Sequence, residues 1–182
     1  MPRYVALLRA VNVGGHNRLP MAAFRALLES LGATQAETYL QSGNAVFSGA
    51  RAASKTWAKR VGKALATHCA LRVDVIVLTE AEMRAARDAN PFARRKDLDG
   101  ATFHVTFLAA EPTAAALTKL QAAVRGEDEF RCDGRVLYLY LPKGYSKSTL
   151  TGVVVERALG MSTTSRNWRT VCALADMTET AS

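Results

Sequence analysis

Leu8-Arg-Ala-Val-Asn12-Val-Gly-Gly-His-Asn17-Arg-Leu-Pro20 and, after one helical pattern, Gln41-Ser-Gly-Asn44-Ala-Val-Phe47 are the segments on which the reading of this chain turns. Each has glycine and asparagine between apolar runs, and these residues accept positive φ at little steric cost, so each marks a reversal of the chain. The run Arg3 to Arg9 before the first turn, with Tyr4, Val5, Leu7 and Leu8, suits a strand covered on both faces that ends near Ala10. After Gly14 and Gly15, Pro20 sits where a first helical residue tolerates it. Met21, Phe24, Leu27, Leu28 and Leu31 recur at helical spacing, and Gly32 follows as a stop. Glu37 to Gln41 and Ala45 to Ser48 are short strand-like runs around Ser42, Gly43 and Asn44, a hairpin signal.

Outward from this stretch, Ser54 is placed to cap a helix in which Trp57, Val61, Ala64, Leu65 and His68 share a face, and Leu71 to Leu78 reads as a buried strand. The first unit is therefore βαββαβ. Thr79 with Glu82 fits a capping box opening a short helix that stops before Asn90 and Pro91, and residues 94–100 read as a mobile junction. Thr102 to Leu108 alternates as a strand, Pro112 to Val124 is helical, and Phe130 to Cys132 and Val136 to Leu141 flank Asp133 and Gly134 as a second hairpin. Ser148 is placed to cap a helix that Gly160 ends. A final helix from about Ser165, with Trp168, Val171, Cys172 and Ala175 on one side, stands where a fourth strand would close the unit.

The repeated order selects an α+β fold of two tandem ferredoxin-like (αβ-plait) units, antiparallel sheets with helices on one face and an extra C-terminal helix. The expected boundaries are 1–80 for the first unit, 81–100 for a linker helix and loop, and 101–182 for the second. Val136 to Leu141 is apolar on both faces, so neither face of that sheet is expected to be simply wet.

The 182 residues are 49% hydrophobic and 22% charged, a globular composition without a run long enough to span a bilayer and without a signal-peptide pattern. A cytoplasmic protein is expected. Cys69, Cys132 and Cys172 are far apart and form no CxxC pair, so neither a disulfide framework nor a metal site is implied, and no cofactor signature is present. The formal charge of +8 divides as +6 over residues 1–89 and +2 over 90–182. The basic first half favours anionic partners in general, small ligands and nucleic acid included.

The blocks LLRAVNVGGHNRLPM, LGA, TYLQSGNAVFSG, ANPF, LPKGYSKSTLT and TSRNWRTV, spread from Leu8 to about Leu174, resemble the bacterial family catalogued as domain of unknown function 1697. The resemblance implies a duplicated αβ plait and transfers no activity and no catalytic residue. Ala10 and Val11 replace the usual glycine and isoleucine before the NVGG block, both small apolar changes.

In a plait, strands one and three are antiparallel central neighbours, so the two turns should meet at one sheet edge. Glycine amides leading toward a helix N-terminus, with the side chains of Asn12, Asn17, Gln41, Ser42 and Asn44, would make a donor-rich site there for a small anionic or nucleotide-like ligand. The candidate ligand-binding set is thus Asn12, Gly14, Gly15, His16, Asn17, Gln41, Ser42, Gly43 and Asn44. The plainer alternative is two tight turns bonded to each other. The spacing is neither a Walker loop nor a dinucleotide fingerprint. His16 is the one local acid or base, which leaves open an enzyme built on it as against a solvated loop histidine. His68 and His104 read as structural. Lys143, Ser146 and Arg166 form a second-choice anion site at helix entrances. Arg51, Lys55, Lys59 and Lys63, with no acid between Arg51 and Arg72, form a basic stripe that fits either weak nucleic-acid binding or a solvated helix face. Tyr138 and Tyr140 sit on a central strand like the stacking aromatics of an RNA-recognition sheet, and burial explains them equally.

Overall fold

The computed structural model describes residues 1–96 and 98–179; Asp97, in the junction read from sequence at 94–100, lies outside the described residues. The described chain forms β1 (Arg3–Leu8), α1 (Met21–Ser30), β2 (Thr34–Tyr39), β3 (Asn44–Ser48), α2 (Ser54–His68), β4 (Val75–Thr79) and α3 (Glu80–Asp88). It continues through β5 (Phe103–Leu108), α4 (Ala114–Ala123), β6 (Glu129–Asp133), β7 (Val136–Tyr140), a 3-10 turn (Tyr145–Lys147), α5 (Gly152–Leu159), β8 (Thr163–Asn167) and α6 (Trp168–Glu179). The strands make two four-stranded antiparallel sheets, ordered β2-β3-β1-β4 and β6-β7-β5-β8. Both are the strand order of the αβ plait, with β1 paired to β3 as that fold demands. By compactness the chain divides into Met1–Ala85 together with the segment from Ala173, and Ala86–Cys172.

In the first unit, β1 is buried at every position, as its two-sided apolar composition requires. Tyr4, Ala6 and Leu8 face α1 and α2 and share a core with Phe24, Leu28, Phe47, Trp57, Val61 and Leu65. Each such large side chain removed from water contributes about 1.5 to 3 kcal/mol before chain entropy is counted. Phe47 and Trp57 meet edge to face with centroids 4.9 Å apart, and Tyr4 stacks on Phe47 at 5.6 Å. The polar ends of this cluster are satisfied on the backbone: the Tyr4 hydroxyl donates to the Ala52 carbonyl at 2.9 Å and the Trp57 indole to that of Ala50 at 3.2 Å.

Two expectations about α2 are corrected. Ser54 is its first residue rather than its cap; Ala53 holds the cap position, and the Ser54 hydroxyl bonds Glu82 at 3.1 Å instead. His68, the last residue of α2, is exposed rather than packed, the core side of that turn being taken by Leu65. The capping box of α3 forms as read: the Thr79 amide donates to Glu82 Oε2 at 2.7 Å, and the Glu82 amide donates back to Thr79 Oγ1 at 3.2 Å.

The second unit corrects a larger expectation. A fourth strand is present: β8 pairs antiparallel with β5 from Leu108 opposite Thr163 to His104 opposite Asn167. The helix expected from about Ser165 begins instead at Trp168. Two β-branched residues open β8, Thr106 and Ser165 join their hydroxyls across the strands at 2.6 Å, and Asn167 ends the strand by capping α6, accepting the Thr170 amide at 2.9 Å. Tyr138, 1% exposed, stacks on Phe103 and donates its hydroxyl to the Ala86 carbonyl at 3.0 Å; Tyr140 is also buried. Neither ring is a stacking platform for a base.

Candidate functional site

The two turns meet, and the bonds that join them come from the topology and from asparagine. The Leu8 amide donates to the Gly43 carbonyl at 2.8 Å and the Arg9 amide to the Asp74 carbonyl at 3.0 Å. The second unit repeats both bonds at equivalent register, Leu108 to Arg135 at 3.0 Å and Ala109 to Ser162 at 3.2 Å, so they belong to the topology that the two units share. What the first unit adds is a side-chain staple. Asn12 Nδ2 donates to the Gln41 carbonyl at 2.7 Å and to that of Leu19 at 2.9 Å, while Asn12 Oδ1 accepts the Leu19 amide at 2.8 Å.

Between Asn12 and Asn17 the chain is a miniature β-hairpin. The Asn12 amide donates to the Asn17 carbonyl at 3.2 Å and the His16 amide to that of Val13 at 3.0 Å. Gly14 and Gly15 take φ of +58° and +79°, the sign pair of a type I′ turn. Asn17, itself at positive φ, closes the base by donating Nδ2 to the Ala10 carbonyl at 3.0 Å. This corrects the expectation of glycine amides feeding a helix N-terminus. Arg18, Leu19 and Pro20 intervene, Pro20 has no backbone N–H, and α1 starts only at Met21.

The remaining members of the expected set are placed as follows. Asn44 is fully buried and donates Nδ2 to the Tyr39 carbonyl and to Ser42 Oγ, both at 2.9 Å, which holds the second turn. Gly43 has φ +76°, and a Cβ built on it would lie 2.7 Å from Leu8 Cβ, so this glycine is fixed by both conformation and close approach to β1. Gln41 is exposed, and its carbonyl is the acceptor of the Asn12 staple. His16 is exposed beside Gly14 at the hairpin tip, with Val13 61% exposed on the other side. The side-chain amides of Asn12, Asn17 and Asn44 are thus committed to backbone carbonyls, and the tip itself holds His16, Val13 and two glycines.

Beside the hairpin base is a cleft of about 370 Å³ lined by Arg9, Asn17, Gly62, Ala66, Arg72, Val73 and Asp74. Its floor exists because α2 carries small residues at Gly62 and Ala66, four apart and hence on one face. Arg9 and Arg72 bring two guanidinium groups and Asp74 one carboxylate. Sequence reasoning missed Gly62, Ala66, Arg72 and Asp74; the small pair at i and i+4 was the available signal. By strand register, Leu8 opposite Val75 corresponds to Leu108 opposite Thr163. Counting from those pairs, the positions of Arg9 and Arg72 in the first unit are those of Ala109 and Gly160 in the second. The plait does not require arginine at either.

The second-choice set does not assemble in the same way. Lys143 and Ser146 are exposed around the 3-10 turn, whereas Arg166 is buried on β8, donating Nη1 to Thr164 Oγ1 at 2.7 Å and to the Ser165 carbonyl at 2.9 Å. Burial lowers the Arg166 pKa to about 10. His104 packs its ring 4.9 Å from that of Tyr145, with Nδ1 buried and unbonded, and desolvation pulls its pKa down to about 4. It is a half-buried, neutral histidine at pH 7. Of the basic stripe, Arg51, Lys55, Lys59 and Lys63 are all exposed. Arg60 is not part of it: its guanidinium lies 4.4 Å from the Trp57 ring centroid and donates to the Leu31 carbonyl.

Among the described residues no group of three or more His, Cys, Asp or Glu side chains is arranged to hold a metal ion, and no helix is long and apolar enough to cross a membrane. None of the curated proteins compared matches this chain. Its structure is similar to that of the conserved bacterial protein SP0830 from Streptococcus pneumoniae, with a TM-score of 0.76 over 97% of this chain and 98% of that one at 21% sequence identity, a likeness of fold. A family model described as "Protein of unknown function (DUF1697)" matches residues 1–138, a span that includes both turns and the cleft, and the chain belongs to that family.

Proposed function

We propose that the first unit binds a small anionic ligand, phosphate-bearing and nucleotide-like in size, in the cleft of Arg9, Asn17 and Arg72 beside the glycine hairpin. The observation that carries this reading is the pair of arginines at positions that the second unit fills with alanine and glycine. Two guanidinium groups, planar and always charged, supply the forked donors that phosphate and carboxylate oxygens accept. A cleft of about 370 Å³ falls within the size range of small-molecule sites. Relative to the expectation from sequence, the ligand moves from the turns to the cleft beside them, and the asparagines become its scaffold. Cys69, Cys132 and Cys172 form no disulfide with one another, which fits a reducing cytoplasmic setting for the protein.

The test is a thermal-shift series with pyrophosphate, ATP and glucose 6-phosphate. A ligand at 100 times its dissociation constant should add about 2.7 kcal/mol of stability. Arg72→Glu should abolish the response of any positive probe while leaving the unliganded melting temperature nearly unchanged, since Arg72 is exposed. No response to all three probes, or a response unaltered by Arg72→Glu, refutes the reading.

A further inference from the structure

We infer that the exposed face of α2 and the cleft of Arg9 and Arg72 together bind the sugar-phosphate backbone of a nucleic-acid strand. The inference rests on the reading of the cleft as an anion site and extends that site from one ligand to a polymer.

The face is a straight row of charge. Lys55, Lys59 and Lys63 are exposed at four-residue intervals, each about 6 Å along the axis from the last, and exposed Arg51 precedes the helix. No aspartate or glutamate occurs between Arg51 and Arg72. Glu82 stands at the start of α2, where it accepts from the Ser54 hydroxyl and the Thr79 amide; Asp74 is the acid at the other end, within the cleft. The row leads into the cleft through α2 itself, because Gly62 and Ala66 line the cleft while Lys59 and Lys63 lie within one helical turn of Gly62.

The fold does not demand this row. The helix at the same place in the second unit, α5, carries Glu156 and Arg157 as its only charged residues. A solvated face is served by mixed charge; an uninterrupted positive one is a field.

The chemistry of the face selects among polyanions. Insertion into a membrane surface needs apolar residues free at the polar boundary, and Trp57, Val61, Ala64 and Leu65 of α2 are all buried in the core. A protein interface needs a central apolar or aromatic anchor, and the exposed positions of α2 hold Lys, Thr and His. A phosphate backbone needs neither. Without an exposed aromatic ring on this face there is no base stacking, so the association is indifferent to sequence and strongly dependent on salt.

The test uses the full chain and a fluorescent single-stranded oligouridylate of about 12 nucleotides, followed by anisotropy between about 50 and 200 mM salt. Contact with three or four phosphates predicts a slope of log affinity against log salt of about −2 to −3. Lys55→Glu/Lys59→Glu/Lys63→Glu should weaken binding at low salt at least tenfold and flatten the slope. The triple glutamine variant should do so to a lesser degree, with both variants checked for native circular dichroism and melting temperature. Arg72→Glu should weaken oligonucleotide binding and abolish the response to pyrophosphate. A pyrophosphate response without oligonucleotide binding keeps the small-ligand reading and overturns the strand. Binding lost in the lysine variants and untouched by Arg72→Glu overturns the joint site. Equal affinity for a polyglutamate peptide of matched charge overturns the choice of nucleic acid in favour of an acidic protein.

Discussion

Asn12 Nδ2 lies 2.7 Å from the carbonyl oxygen of Gln41, and this one amide fastens the hairpin after β1 to the turn before β3. Its neighbours on the same side chain hold Leu19, so three hydrogen bonds converge on a residue that itself sits at φ +57°.

Asn12→Ala therefore removes three bonds and places alanine in the left-handed region. The expected cost is about 4 to 5 kcal/mol, from about 1 kcal/mol per lost bond plus about 1 to 2 kcal/mol for the backbone. Asn12→Asp keeps the acceptor for the Leu19 amide and loses both donations, so it should fall between wild type and alanine. Urea midpoints at constant m-value rank the three.

Two glycines at positive φ separate conformation from crowding. Gly15→Ala has nothing within 4 Å of the new methyl and should cost about 1 kcal/mol for the backbone alone. Gly43→Ala meets Leu8 Cβ at 2.7 Å as well and should cost about 3 kcal/mol, since the neighbour is a core residue of the central strand. Equal costs at the two sites would mean that β1 shifts freely, contrary to its complete burial.

Acid should destabilise the protein through His104. Its folded pKa, about 4, lies below the ordinary 6.5 because burial disfavours the imidazolium, so the unfolded chain binds its proton first. Stability is full above pH 6.5 and falls as the pH drops toward 4, by up to about 3 kcal/mol on this account. His104→Gln should flatten the stability profile in that window and leave it unchanged above pH 7, measured by urea titration at each pH.

Tyr138→Phe isolates one buried bond. The variant keeps the ring stack on Phe103 and leaves the Ala86 carbonyl without the hydroxyl that now bonds it at 3.0 Å. Destabilisation of about 1 to 2 kcal/mol is expected. A neutral result would mean that solvent replaces the hydroxyl.

Elements with a strong period or an unambiguous turn were legible in the sequence. The apolar face of α1, the Thr79 capping box and the Asp133-Gly134 hairpin all lie where the residues put them. β8 was not, because Thr163-Thr-Ser-Arg-Asn167 is a polar edge strand whose alternation is weak and whose last residue doubles as the cap of α6. The start of β4 moved from Leu71 to Val75, since Leu71 folds back to bond the Leu65 carbonyl at the end of α2. β2 begins at Thr34, ahead of the Glu37 to Gln41 run that marks it in the sequence, and bulges around Gln35, which takes φ +51°. At the candidate site, the meeting of the two turns followed from strand order alone. Which polar groups the scaffold consumes did not, because the staple from Asn12 to Gln41 spans 29 positions and depends on exact placement. The cleft was hidden for a similar reason: its members come from the end of β1, the hairpin base, the middle of α2 and the approach to β4, and only the fold collects them.

Arg3, in the first strand of the chain, donates Nη2 to the carbonyl of Met177 at 3.0 Å, and both belong to the first unit. On the ribosome, β1 therefore waits for a segment translated only after the whole of residues 86–172. Of the two units, the one whose strands are made earlier is the last to be finished, and until then the Arg3 guanidinium lacks that carbonyl.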